Sequence, residues 1–177
     1  MKSIKITIKG ISPLLMRRYL LEGVKNLEKK SIEEQAELAV YRDKKTKELY
    51  IPGVCIQRAL IAAAVYSKGK GRASLTKTAA ACLLVTPEQC GLETKHYDID
   101  SRPVVIPATK GRIVRHRPRL SEWQTTFFIE YDEDLLTIEQ VRKVVDDAGS
   151  RVGLLEFRPA CKGPFGRFMV IKWVENK

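Results

Sequence analysis

Arg112, Arg115, Arg117 and Arg119 fall within one stretch of eight residues, and His116 stands among them. This combination suits the capture of a single nucleic-acid strand, because cationic side chains track the phosphates while planar groups stack on bases, and a guanidinium does both. In such a site His116 stacks on a base or contacts phosphate; otherwise it is an ordinary solvated imidazole on a hairpin. General acid–base work would need a partner that the sequence does not identify.

The cluster belongs to a wider pattern. The chain has 177 residues, with 32 Lys and Arg against 21 Asp and Glu, a net charge of +11. Four stretches contain no acid: 11–20 with Arg17 and Arg18; 67–77 with Lys68, Lys70, Arg72 and Lys77; 103–121 with Lys110 and the four arginines; and 158–167 with Arg158, Lys162 and Arg167. Together they hold 14 of the basic residues, so the remainder of the chain is slightly acidic. An idle solvated surface intersperses both signs, whereas a localised excess points to a polyanionic partner. An anionic membrane surface fits less well, since it asks for one amphipathic helix with basic and bulky apolar faces.

In the last of these stretches, Gly163-Pro164-Phe165-Gly166 is flanked by Lys162 and Arg167. Gly163 and Gly166 would let the backbone approach a phosphate and present N–H groups to it; the alternative is an ordinary turn before a strand. No phosphate-loop sequence ending in Gly-Lys-Ser/Thr occurs, so nucleotide hydrolysis is not supported. Cys55, Cys82, Cys90 and Cys161 form no C-x-x-C pair, and His96 and His116 lie far apart, which argues against a metal site or a disulfide framework. No cofactor is expected. The longest uncharged run, Thr78 to Pro87, has ten residues, half of the roughly 20 that a membrane-spanning helix requires. The first residues alternate instead of forming an apolar signal core, so the chain reads as cytosolic.

The elements that must carry these residues follow from periodicity. Ile4, Ile6 and Ile8 alternate with Lys5, Thr7 and Lys9, the pattern of a strand with one buried face. From Leu14 to about Lys47 the chain reads as an inserted arm, in which Ser31-Ile32-Glu33-Glu34 is a capping box heading a short helix. A second helix is predicted from about Val54 to Tyr66, with Ile56, Leu60, Ala63 and Ala64 on one face. Residues Cys82 to Thr86 are read as a strand, and 98–131 as β-rich: Val104 to Ile106, Arg112 to Arg115, a bend at Pro118, and a strong strand from Gln124 to Tyr131. Phe127, Ile129 and Tyr131 share a face that is assigned to the core instead of to base stacking. Thr137-Ile138-Glu139-Gln140 is a second capping box, followed by Val141, Val144 and Val145 and ended at Gly149; Phe168 to Val174 closes the chain as a strand. The order is a split βαβ pattern, which predicts one α+β, ferredoxin-like βαββαβ domain over 1–177, with an arm at 14–47 and a basic hairpin insertion at 91–122.

Gly10-Ile11-Ser12-Pro13-Leu14 after the first strand, Tyr50-Ile51-Pro52-Gly53 before a helix, and the late Gly153-Leu154-Leu155-Glu156-Phe157-Arg158 with Gly163-Pro164-Phe165-Gly166-Arg167-Phe168 together resemble the CRISPR RAMP superfamily. That resemblance implies an RRM-like fold and RNA binding, in the manner of backbone subunits that polymerise along a guide in antiviral defence. Phage-encoded relatives share a similar pattern. Guide-processing members use a histidine near the first helix, and none lies between Met1 and Lys95 here; target-cleaving members use an aspartate in the arm, where Asp43 stands among Arg42, Lys44 and Lys45.

The expectation is therefore a non-catalytic protein that binds single-stranded RNA, or single-stranded DNA, and assembles as a homo-oligomer along the strand, with other effector subunits as further partners. Its binding residues would be Arg17, Arg18, Lys68, Lys70, Arg72, Lys110, Arg112, Arg115, His116, Arg117, Arg119, Arg158, Lys162, Gly163, Gly166 and Arg167. Two rivals stand beside it. One is a metal-independent, guide-processing endoribonuclease using His116, or His96 with Tyr97; the other is a protein-interaction module that imitates a backbone subunit.

Overall fold

The computed structural model describes residues 1–20, 23, 26–69, 73–106 and 108–176. Lys70 and Arg72 lie outside them. Strand β1 (Lys2–Gly10) buries Ile4, Ile6 and Ile8, as its period-2 alternation requires. After a two-residue strand β2 (Leu14–Leu15) and a 3₁₀ turn, helix α1 (Ile32–Ala39) starts at a complete capping box between Ser31 and Glu34. Next come β3 (Tyr50–Pro52) and α2 (Gly53–Ala63), which a 3₁₀ turn extends to Tyr66.

Helix α3 (Thr76–Cys82) leads directly into β4 (Leu83–Thr86), so Cys82, expected to open the strand, instead ends a helix. Alanines 79–81 favour helix, and Ala79 and Cys82 give that turn a buried face. Then follow β5 (Gln89–Gly91), β6 (Asp98–Val105), β7 (Arg112–Leu120), β8 (Gln124–Tyr131), α4 (Ile138–Asp147) and β9 (Phe168–Asn176). Pro118 does not bend the chain; it lies inside β7. Its carbonyl accepts from Met16 N at 2.9 Å, and the neighbouring strand β2 has stopped at Leu15, so the N–H that proline lacks breaks no continuing ladder.

The main sheet has the order β4-β8-β1-β9, antiparallel throughout. Helices α2 and α4 contribute Ile56, Leu60, Ala63, Val141, Val144 and Val145 to one core with the β1 isoleucines, Phe127 and Ile129. This is the ferredoxin-like α+β arrangement, β1-α2-β4-β8-α4-β9. Phe127 and Tyr131 are core residues, 0% and 3% exposed.

Helix α4 begins at the Thr137–Gln140 capping box but does not stop at Gly149; a π turn carries it to Val152, and Gly153 at φ 72° ends it. Gly149 is instead a packing glycine, where a Cβ would overlap the Phe168 carbonyl oxygen. No described helix is long and apolar enough to cross a membrane.

A second sheet, β2-β7-β6, stands apart in pairing from the first. Its β6–β7 hairpin sets Asp98 opposite Arg119, Asp100 opposite Arg117, Ser101 opposite His116 and Arg102 opposite Arg115. Helix α1 packs on β7.

Candidate nucleic-acid interface

Strand β2 pairs Leu14 with Leu120 and Leu15 with Arg119. Leu14, Leu15 and Met16 are fully buried, and this anchors the segment that follows. Arg17, Arg18 and Tyr19 are thereby held at the surface beside the hairpin, with Arg18 N donating to Ala39 O of α1 at 2.8 Å. Here two distant acid-free stretches meet. A cleft of about 220 Å³ is lined by Arg17, Arg18, Tyr19, Arg115, His116 and Arg117, with Gln35, Leu38 and Ala39 of α1 along its side. Tyr19 is 82% exposed. Sequence reasoning passed over it, although an aromatic next to a basic pair was the available signal for a stacking platform.

Strand alternation divides the arginine cluster. Arg112 and His116 project to one face of β7, while Arg115, Arg117 and Arg119 project to the other. Arg117 is not the solvated cation that the sequence suggested: it is 5% exposed and sits 3.5 Å from the Glu156 carboxylate. Burial pulls its pKa down, against the raising effect of Glu156. That pair ties the hairpin to the late loop.

Arg117→Ala is therefore expected to lower the melting temperature while leaving strand affinity nearly unchanged. We expect a loss on the order of 2 kcal/mol, below the roughly 3–5 of a fully buried broken pair because Glu156 stays partly in water. Parallel thermal melts and binding titrations check this. Arg115 and Arg119 are half-buried, Arg112 and Lys110 exposed.

His116 Nδ1 and Ser101 Oγ share a hydrogen bond of 2.7 Å.

The late loop corrects a second expectation. Gly163 N donates to Arg158 O at 3.0 Å and Gly166 N donates to Pro13 O at 2.8 Å, so neither amide is free to receive a phosphate. Both glycines are buried; a Cβ on Gly163 would overlap the Phe157 carbonyl, and one on Gly166, at φ 72°, would overlap that of Leu154. The loop fastens the β2 segment and the hairpin. Glu156 N donates to Leu15 O at 3.0 Å, Arg167 N donates to Ser12 Oγ at 2.9 Å, and the Arg102 guanidinium lies 4.7 Å from the centre of the Phe165 ring. Arg158 turns onto its own loop, giving Nη1–H to Leu155 O, and Arg167 gives Nη1–H to Ser150 O. Lys162 and Arg167 are exposed. Lys68, Lys110, Arg112, Arg119, Arg158, Lys162 and Arg167 do not line the cleft.

The groups weighed for cleavage chemistry are dispersed. Asp43 Oδ1 accepts from Lys45 N at 2.8 Å and Thr46 N at 2.7 Å; these bonds hold its carboxyl below the usual range and close a tight turn. Tyr97 Oη donates to Glu37 at 2.8 Å, and burial together with that bond pushes its pKa up to about 12, so it stays protonated at neutral pH. With exposed His96, Tyr97 lines a separate cavity of about 520 Å³ that includes Arg119 but not His116. Among the described residues no three His, Cys, Asp or Glu side chains converge on a possible metal position.

No family model matches the sequence. No curated protein matches it either. Among solved structures, the chain is similar to one in the cryo-EM structure of the type III-B Cmr-beta complex bound to cognate target RNA, with a TM-score of 0.58 and 14% identity. The match covers 99% of this chain and 61% of the other, so this chain spans less than two thirds of its neighbour's length. At that identity the likeness is one of fold.

Proposed function

We propose that this protein binds single-stranded nucleic acid, RNA in preference to DNA, without cleaving it, and that successive copies occupy successive segments of one strand. The observation that carries this reading is one cleft lined by Arg17, Arg18 and Tyr19 together with Arg115 and His116, which flank it from opposite faces of β7. Cations at its rim suit a phosphate backbone, and the exposed Tyr19 ring offers a face to a base. Charge excess and fold support the same conclusion: the chain carries +11, and its structural neighbour belongs to a complex that holds target RNA. The RAMP resemblance of the glycine-bearing segments agrees with a subunit of a CRISPR effector. The buried glycines take part indirectly, by fixing the loop that supports Leu15 and the hairpin.

Binding should weaken steeply with salt, because each phosphate contact releases condensed counterions and contributes roughly −0.7 to the log–log slope on single strands. Anisotropy titrations of a short labelled oligonucleotide at increasing salt measure the slope. A flat response would remove the electrostatic basis of the proposal. Incubation with hairpin RNA tests the nuclease rival: site-specific cleavage that disappears in His116→Ala would replace binding by catalysis as the primary function.

A further inference from the structure

Helices α2 and α4 cover one face of the main sheet, and the opposite face carries its own set of exposed side chains. Across it, Lys5 stands between Phe128 and Val174, and Lys9 pairs with Met169. Thr7 pairs with Lys172, so all three lysines share this face. Each is exposed, and among the described residues none of them enters an ion pair. Beside them Leu84 is 45% exposed, Met169 53% and Val174 39%.

The mixture of lysines with aliphatic side chains discriminates between partners. Aliphatic groups offer no ring for base stacking, and the one aromatic here, Phe128, is half-buried with Lys5 Nζ 5.8 Å from its centre. Three lysines against Glu130 leave this face net positive, and exposed apolar groups in such a setting instead fit a protein surface that is itself apolar and acidic. Helix α1 presents such a surface. Ile32 is 46% exposed and Glu33 next to it is exposed, the helix itself bears no basic residue, and exposed Glu28 lies in the 3₁₀ turn before it, followed by Lys29 and Lys30. Glu37 is already held by Arg42 and Tyr97, and Glu34 by its capping box, which leaves Glu28 and Glu33 as the carboxylates to offer.

We infer that the helix-free face of the main sheet receives helix α1 of a second copy, with Lys5, Lys9 and Lys172 meeting Glu28 and Glu33 and Ile32 resting on the exposed aliphatic side chains. Two different patches joined in this way form a heterologous contact, which repeats head to tail. The contact also offsets the mutual repulsion of chains that each carry +11. The inference rests on the proposed assembly along a strand and names the surfaces that would mediate it.

Carbodiimide coupling in an equal mixture of heavy-isotope-labelled and unlabelled protein, with and without a long single strand, tests the contact directly. Peptides containing Lys5, Lys9 or Lys172 should be joined to peptides containing Glu28 or Glu33, with mixed isotopes that prove two copies. In a second measurement, K5E/K172E should lower cooperativity on a long strand by about tenfold, as expected for reversed interface charge. Affinity for a short oligonucleotide that holds one protein should remain unchanged. Adding E28K/E33K to the same chain should restore cooperativity.

Absence of mixed-isotope links, or unchanged cooperativity in K5E/K172E, overturns the inference. Loss of short-strand affinity in that variant also overturns it, by making the face a nucleic-acid surface. If the wild type binds no strand at all, the proposed function fails instead, and coupling in concentrated strand-free protein still reads the contact.

Discussion

Removing Arg17, Arg18, Tyr19 and Arg115 together by alanine substitution is expected to reduce single-strand affinity by a hundredfold or more, while the domain stays folded. The loss of a stacked base alone accounts for roughly 1–3 kcal/mol. Three lost phosphate contacts should make the salt slope shallower by about 2, since each contributes roughly 0.7 on a single strand. Folding should survive because Arg17, Arg18 and Tyr19 are exposed and Arg115 is only half-buried, without an ion pair among the described residues. Anisotropy titrations at two salt concentrations, with circular dichroism on the same samples, check both halves. A folded variant that retains both wild-type affinity and wild-type salt slope would show that the cleft is not the binding site. Arg117 is left in place because its replacement would confuse stability with binding.

The second large effect concerns the late glycine-bearing loop. Gly166→Ala should leave little folded protein at physiological temperature. An L side chain at φ 72° costs roughly 1–2 kcal/mol, and its Cβ would also overlap the Leu154 carbonyl oxygen. The obstacle is backbone in a buried loop, where Leu154 N–H donates to Gly166 O at 2.9 Å and Gly166 N–H donates to Pro13 O. It cannot move without breaking the tie between the loop and the segment after β1. A loss beyond about 4 kcal/mol would consume most of the stability of a domain near the lower end of the usual range of about 5–15. The matched control is Gly91→Ala, where a Cβ meets nothing within 4 Å. Thermal melts of the two variants should differ widely; equal melting temperatures would show that the loop has room to relax.

These two expectations draw on different information. Gly163 and Gly166 stand out in the sequence for a reason other than the packing that makes them indispensable. In a linear reading Gly163 and Gly166 between Lys162 and Arg167 look like a phosphate cradle, because amide exposure cannot be seen in a string of letters. Their amides prove to be donated to Arg158 and Pro13, one of them across most of the chain length. Arg117 was misplaced for a related reason. It stands among Arg115, His116 and Arg119 in sequence, whereas the carboxylate that permits its burial comes from Glu156 in a different loop.

Features set by near neighbours were legible without a structure. Alternation of three isoleucines defines β1, and the boxes at Ser31 and Thr137 start their helices because capping depends on groups three residues apart. The succession of strands and helices was enough for the ferredoxin-like arrangement, and the four acid-free stretches located the charge. Which of those charges share a site was decided only by tertiary structure. Pairing of β2 with β7 carries Arg17 to Tyr19 alongside Arg115 and His116, and hairpin register assigns each arginine to a face. The burial of Arg117 and the pairing of β2 with β7 are properties of contacts between segments distant in the chain. No local pattern encodes them, because each depends on what the rest of the fold brings to the other side.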